Sequence, residues 1–513
     1  MAMMIGLMSC KKSEGDLAGG ELVIMQDYSD IKLGVYGIDT LNPIATKSKS
    51  VQKIMNIVYE PLFTIDESGK VVPVLAGSYT KSGNGKQITV TIKEGVKWHD
   101  GTNFTAEDVA YTLSRMRDSG GLYGKLSNRI HSFTASGKDT VIINFENKEA
   151  SPEYLLTFPV VHRSSTYSEN ADFKPVGTGS YKFISKGGTE IVLEPNSQWH
   201  MGEVSERKII VKILKDKNAI LEAFNVGEID AITSEEVSGS TVTQKSNSIS
   251  KTMVSEKMVF LGFNTKSPAV SSPVVRKAIN GTLDRKRIVE QDAYGRGVPA
   301  ELSIDPASWF MSGENKEKLS DNYSADLMES EGYVIKDGAY HKDDVKLTVR
   351  LLVNADNSER TNLADSIAAS LRIAGFDVVV EKTSYEEYGV KITNDDFDMF
   401  VGETEVSKNL NPAALLMDGE NYFNFDASEI HDFMSNYCTI TESEEIRSKI
   451  GDFRTMFYND PPYLPLYFKT ESVIYGSYVS GIVSPVTFDP YKDIEKWYFY
   501  DKDGKENKGG TNE

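Results

Sequence analysis

The chain has 513 residues, more than one hydrophobic core usually supports, so two or three compact units are expected. Its 40% hydrophobic and 10% aromatic content excludes a disordered chain. A net charge of −19, with no basic stripe to offset it, excludes a nucleic acid as partner.

Taken in chain order, residues 1–9 are an apolar run ending in Leu7-Met8-Ser9-Cys10. The run is shorter than a secretory core and no Lys or Arg precedes it, so the true start is expected upstream. Residues 11–20, rich in Gly, Ser and charge, read as a tether. No other segment approaches the roughly 20 apolar residues of a membrane span. A strand is expected at 22–25, and a helix near 50–59 that Glu60-Pro61 ends, because a residue before proline leaves helical space. Ile88, Val90 and Ile92 alternate with polar residues, the period of a half-buried strand. Asp100-Gly101 then supplies a turn, and Thr105 with Asp108 resembles a capping box opening a helix striped by Val109, Leu113 and Met116. Strands follow at 140–145, 181–183, 191–193 and 209–211. Periodicity stops in the Ser- and Pro-dense segment 264–273, where a crossing between lobes is expected. A strand at 346–352, a helix at 363–374 ended by Gly375 and a strand at 378–381 make a βαβ unit. A return crossing is expected at 461–467, and two crossings make a hinge. The polar tail 501–513 reads as disordered, its Asp501-Lys502-Asp503-Gly504 lacking the rest of a calcium loop.

Several runs occur together. Residues 98–113 begin Trp98-His99-Asp100-Gly101-Thr102, and Pro175-Val176-Gly177-Thr178-Gly179-Ser180-Tyr181 follows. Gly227-Glu228-Ile229-Asp230, Leu261-Gly262-Phe263-Asn264, Val275-Arg276-Lys277-Ala278 and Asp326-Leu327-Met328-Glu329 come next. In this order they resemble the peptide- and nickel-type solute-binding proteins of ABC importers, family 5, with Ser180 where that family usually has proline. The resemblance implies an α/β, bilobal periplasmic-binding-protein-like fold of type II, in the large three-subdomain variety with hinge crossings. It implies a lobe I core built from 21–63, 175–265 and 466–500, an accessory subdomain at 64–174 and lobe II at 266–465. It implies an extracytoplasmic monomer that is not an enzyme, needs no cofactor, and passes a short peptide to an ABC permease and ATPase. Cys10, the cysteine of a lipobox-like run, would carry lipid and tie the protein to the outer face of the plasma membrane; Cys438 would remain as a buried thiol.

In peptide-binding members an acidic residue after a Tyr-Asp strand of the second lobe pairs with the peptide α-ammonium group. Here the corresponding stretch is 397–412, in which Gly402-Glu403 replaces the usual Gly-Trp and the usual Asp falls near Glu405 or Val406. Glu403, Thr404, Glu405 and Asn409 are therefore the candidate ligand contacts of that lobe. Thr46 and Ser48, where the first helix begins, are the candidates of the other, since helix N-termini present free N–H groups. The plainer readings are solvated loop charges for the acids and helix caps for the hydroxyls. A nickel or metallophore ligand is the nearest rival, but the six histidines show no pair at metal-binding helical spacing. An oligosaccharide binder and a peptide-sensing receptor also stay open. The Gly-x-Ser-x-Gly and His-Glu-x-x-His signatures of hydrolases do not occur.

Overall fold

The computed structural model describes residues 30–164, 173–234, 248–309, 311, 320, 322–417, 421–481, 485–500 and 506–507. The expected strand at 22–25, the tether and Cys10 lie outside the described residues, as does most of the tail. Glu506–Asn507 nonetheless pair with Phe499 and Tyr500 as a short strand, which corrects the expectation of disorder at those two positions.

Three sheets organise the chain. The first orders Ile31–Val35, Ile209–Ile213, Glu190–Pro195 and Tyr181–Lys186, with the first pair parallel and the others antiparallel. Ile31, Leu33, Ile191, Leu193, Ile209 and Val211 are all 0% exposed, so period-two alternation buries one continuous face. The helix Lys49–Val58 packs in the same core, capped by Ser48 and ended where Tyr59 turns extended before Glu60-Pro61. The second sheet is antiparallel, in the order Ala76–Lys81, Gln87–Ile92, Thr140–Phe145 and Ile130–Ser136, and is covered by the helix Ala106–Ser119. That helix opens as expected: Thr105 donates to the Asp108 carboxylate from its N–H at 2.9 Å and from its hydroxyl at 3.0 Å.

The third sheet has seven strands and contains the βαβ unit, in which Thr348–Asn354 and Asp377–Thr383 are parallel and joined by the helix Ser358–Ile373. Its two longest strands, Ser248–Phe263 and Tyr463–Gly476, run antiparallel side by side. Met253 and Val473 belong to the hydrophobic cluster of the first sheet, whereas Val259, Leu261, Leu466 and Tyr467 belong to that of the βαβ unit. Both strands therefore pass from one lobe to the other within their own length. The crossings fall at 254–258 and 468–472 and not in the expected segments 264–273 and 461–467; Phe263 and Val270 already sit in the second cluster. The Ser- and Pro-dense stretch is a turn inside lobe II, because loss of periodicity marks the end of a strand and not the end of a core.

The signature runs prove to be joinery. His99 reaches the second run three times: its N–H donates to the Gly177 carbonyl at 2.9 Å, the Gly177 N–H donates to Nδ1 at 3.2 Å, and Nε2 lies 3.0 Å from the Gly179 carbonyl. Nδ1 accepts, so Nε2 carries the proton and the ring is neutral; burial pushes its pKa down to about 4. Gly177 and Gly179 pass so close to the end of the helix Lys49–Val58 that a Cβ at Gly177 would overlap the Val58 carbonyl oxygen. Asp230 of the third run accepts from the Lys32 N–H at 2.6 Å and the Tyr478 hydroxyl at 2.8 Å. Arg276 of the fifth, 2% exposed, donates to the carbonyls of Val270 and Pro461 and pairs with Asp460. Gly177→Ala should accordingly cost about 1–3 kcal/mol of unfolding free energy by overpacking, read as a drop in denaturant midpoint at unchanged slope; an unchanged midpoint would disprove the close approach.

Candidate functional site

The register of the two crossing strands breaks where they pass between the lobes. Val254 pairs with Thr470 and Met258 with Phe468, so Ser255, Glu256 and Lys257 face the single residue Lys469. This is a bulge, a device that bends a strand and re-aims its side chains. Hydrogen bonds hold it: the Ser255 hydroxyl donates to the Lys469 carbonyl at 2.8 Å, and the Val406 N–H donates to the Glu256 carbonyl at 2.8 Å. Ser255 and Glu256 are thereby turned into a cavity that Gly69, Asp305, Ser308, Lys408 and Asn411 also line. Its walls thus come from the accessory hairpin, the crossing strand and two loops of lobe II.

The charges there are two carboxylates and one ammonium. Glu256 keeps an accessible side chain but is surrounded by protein; burial pushes its carboxyl above the usual range, Lys408 and Lys49 pull it down, and Glu405 and Glu471 push it up. Asp305 is raised by burial against the pull of Lys408 and of the Ala307 N–H, which donates to it at 2.9 Å. Lys408 makes no ion pair among the described residues. Such a set suits a zwitterion, whose ammonium and anionic group would complete the pairing. The space measures about 20 Å³, room for one water, so anything larger needs the lobes to part. The lobes also touch directly beside it: Lys148 Nζ donates to the Ser435 carbonyl at 2.9 Å and hydroxyl at 2.7 Å, the Trp309 N–H to the Ser68 carbonyl at 2.7 Å, and Asn409 Nδ2 to Glu149 at 3.3 Å.

The residues singled out from sequence are dispersed around this centre. Glu403 lies in the strand Met399–Glu405 on the face shared with Met399 and Val401, away from Phe400, whose cluster lines the cavity side. It is already engaged, 2.7 Å from Lys469 Nζ and 3.3 Å from Arg360. Burial raises its carboxyl, but the hydrogen bond and charge of Lys469, joined by Arg360, outweigh that and hold it below the usual value. Thr404 is half-buried on the opposite face of that strand, beside Met258. Glu405 is exposed and lies 3.8 Å from Lys49 of the other lobe, close enough to act on Glu256. Asn409 is buried; its Nδ2 donates to Glu149, while its Oδ1 has no hydrogen-bond partner among the described residues. Thr46 donates to Asp39 at 2.6 Å, and Ser48 takes the plain capping role, accepting from the Val51 N–H at 3.4 Å. Sequence reasoning missed Glu256, Asp305 and Lys408. The available signal was the polar triplet Ser255-Glu256-Lys257 interrupting a strand whose flanks, Met253-Val254 and Met258-Val259-Phe260-Leu261, are apolar.

Glu403→Gln should leave Lys469 and Arg360 without their shared carboxylate and lower stability by about 1–3 kcal/mol at neutral pH. Because the folded carboxyl is held below its unfolded value, this contribution is present above about pH 4.5 and lost as the pH falls through the folded pKa. Urea titrations at pH 7 and pH 3.5 check it: the gap between variant and parent should narrow at the lower pH, and an equal gap at both would contradict the ion pair.

A model of the bacterial extracellular solute-binding proteins, family 5, middle region, matches residues 70–419. The oligopeptide-binding protein AppA of Bacillus subtilis (strain 168) is 25% identical over 530 residues, covering 97% of this chain and 96% of the relative. The glutathione-binding protein GsiB of Escherichia coli (strain K12) is 25% identical over 305 residues, covering 57% of this chain and 59% of the relative. Among solved structures, the unliganded open form of the periplasmic murein tripeptide binding protein MppA matches with TM-score 0.75 at 17% identity, over 92% of this chain and 97% of that one. A nickel ABC transporter protein from Bacillus halodurans matches with TM-score 0.75 at 17% identity, over 89% and 97%. The nonapeptide complex of Bacillus subtilis AppA matches with TM-score 0.58 at 22% identity, over 93% and 100%. At these identities the structural matches establish the bilobal fold alone.

Proposed function

Because this chain belongs to the bacterial extracellular solute-binding proteins of family 5, we propose that it captures a short peptide with a free α-ammonium group between its lobes and delivers it to an ABC permease. It is an extracytoplasmic binding protein and not an enzyme. The observation that carries the peptide reading is the cavity at the strand bulge, where Glu256 and Asp305 face one lysine, Lys408, with no covalent machinery beside them. In this reading the peptide ammonium pairs with Glu256 and Asp305, Glu405 adds negative potential at the cleft edge, and Lys408 takes the peptide's anionic group. Burial makes each carboxylate costly to keep charged alone, so an ammonium ligand stabilises the state in which the lobes enclose it. Similarity to AppA, named for oligopeptides, and to GsiB, named for glutathione, supports the same ligand class.

A thermal-shift screen of the body from about residue 20 against di- to hexapeptides, their N-acetylated forms, Ni²⁺ with and without histidine, and oligosaccharides tests this. At a hundredfold excess over Kd a ligand adds about 2.7 kcal/mol, so free-amine peptides should raise the Tm by several degrees. The rise should vanish on N-acetylation and fall at least tenfold in apparent affinity in Glu256→Gln. A rise with nickel complexes or sugars alone would sink the peptide reading.

We further propose that Cys10 is diacylated and that residues 11–20 tether the body to the membrane. Among the described residues no helix is long and apolar enough to cross a membrane. Replacing Cys10 with Ala should move the protein from the membrane fraction to the soluble one; retention would refute the anchor.

A further inference from the structure

A second cavity, in the first lobe, lies away from the strand bulge and has no part in the reading above. It measures about 330 Å³, within the range of small-molecule sites, and is walled by the end of the helix Lys49–Val58, the turn at 199–203 and the segment 488–496. Ring-bearing residues Tyr59, Trp199, Phe488 and Tyr491 supply much of the wall. Five carboxylates, those of Glu60, Glu203, Asp489, Asp493 and Glu495, stand against two lysines, Lys492 and Lys496.

Most of these charges are satisfied. Glu60 accepts from Trp199 Nε1 and faces His200 Nε2, both at 2.9 Å. Lys492 donates to the Ile65 carbonyl at 3.3 Å, and Lys496 pairs with Asp493. Asp489 is the exception. It is enclosed by protein, forms no ion pair among the described residues, accepts only from the Tyr491 backbone, and opens onto the cavity. A carboxylate so placed needs a cation to stay charged. No group of three or more His, Cys, Asp or Glu that could hold a metal ion occurs among the described residues, which argues against an inorganic ion. Aromatic walls favour an organic cation instead, through ring faces and apolar contact. The volume admits roughly ten water-sized groups, which fits a short alkylamine.

We propose that this cavity is a second ligand site, separate from the interlobe cleft, that binds a small organic ammonium ion with its charged nitrogen against Asp489. The same nitrogen could come from a free amine or from a lysine side chain of a peptide. Charged groups facing Asp489 are Lys492, Asp493, Glu495 and Lys496 from its own segment and Glu60 and Glu203 from two others. Burial, aided by Glu495 and Asp493 and opposed by Lys492, pushes its pKa up to about 7. The bound cation favours the charged form, so binding strengthens as the pH rises from 6 to 8 and releases a proton near neutrality.

Calorimetry of the whole chain with n-butylamine, 1,5-diaminopentane, tetramethylammonium, Ni²⁺ and the peptide Gly-Lys-Gly, in two buffers of different ionisation enthalpy, tests this. The expected result is saturable binding of a free amine with proton release at pH 7, weakened at least tenfold in Asp489→Asn and unchanged in Glu256→Gln. Binding of Gly-Lys-Gly that Asp489→Asn weakens, with free amines silent, assigns the nitrogen to a peptide side chain and still supports the site. Glu203→Lys, at an exposed position, should weaken the same binding severalfold and serves if Asp489→Asn does not fold. No amine or peptide binding that depends on Asp489 or Glu203 overturns the proposal and leaves peptide capture in the cleft untouched; amine binding lost in Glu256→Gln alone also overturns it, by placing the amine in the cleft.

Discussion

Two antiparallel strands, Ser248–Phe263 and Tyr463–Gly476, hold the molecule together, because each contributes side chains to the cores of both lobes. Backbone pairing along their length resists separation of the lobes yet leaves one weak point, the bulge at Ser255, Glu256 and Lys257. Local loss of ladder hydrogen bonds makes that the place where the pair can bend with least cost. The same irregularity turns Glu256 toward the cavity, so the bend and the cavity-facing carboxylate are one feature of the backbone. A regular strand at this point would have sent alternate side chains to fixed faces and set the acid by parity alone.

Around this spine the signature runs act as fasteners between pieces distant in sequence. His99 binds the accessory sheet to the Gly177 to Gly179 turn, and that turn lies against the end of the first helix where no side chain fits. Asp230 stitches the first strand to Tyr478, and Arg276 caps the carbonyls that precede the second crossing strand. Each is a polar group, largely enclosed by protein, that bonds backbone atoms of another segment. Removing one leaves those atoms unsatisfied, which is why the residue types are so specific while no chemistry attends them.

Charge follows a similar logic with a different outcome. Among the described residues many acids meet a partner within the fold, and Glu403 with Lys469 and Arg360 is the clearest case. Glu256 and Asp305 at the bulge and Asp489 in the lobe I cavity line cavities and form no ion pair among the described residues. Their enclosure by protein without a dedicated cation sets these cavity-lining acids apart from the ion-paired ones, and it separates two regions of the surface that composition alone treats alike.

Much of the fold was legible in the sequence. Alternation at Ile88, Val90 and Ile92, the Thr105 and Asp108 cap, Glu60-Pro61 and the βαβ period each depend on residues within a few positions of one another, and local geometry decides them. The lobe crossings were not, because a strand that changes cores midway shows the same period on both sides of the change. Nor was the candidate site: the parity of the strand Met399–Glu405 sends Glu403 to Lys469, and the partner is chosen by register between strands more than sixty residues apart. The sequence by itself determined the family and most of the elements, since those rest on runs of residues close together in the chain and on short-range sterics. Only the tertiary structure decided which carboxylates stay without a cation, since that depends on what each strand and loop finds opposite it after the chain has folded.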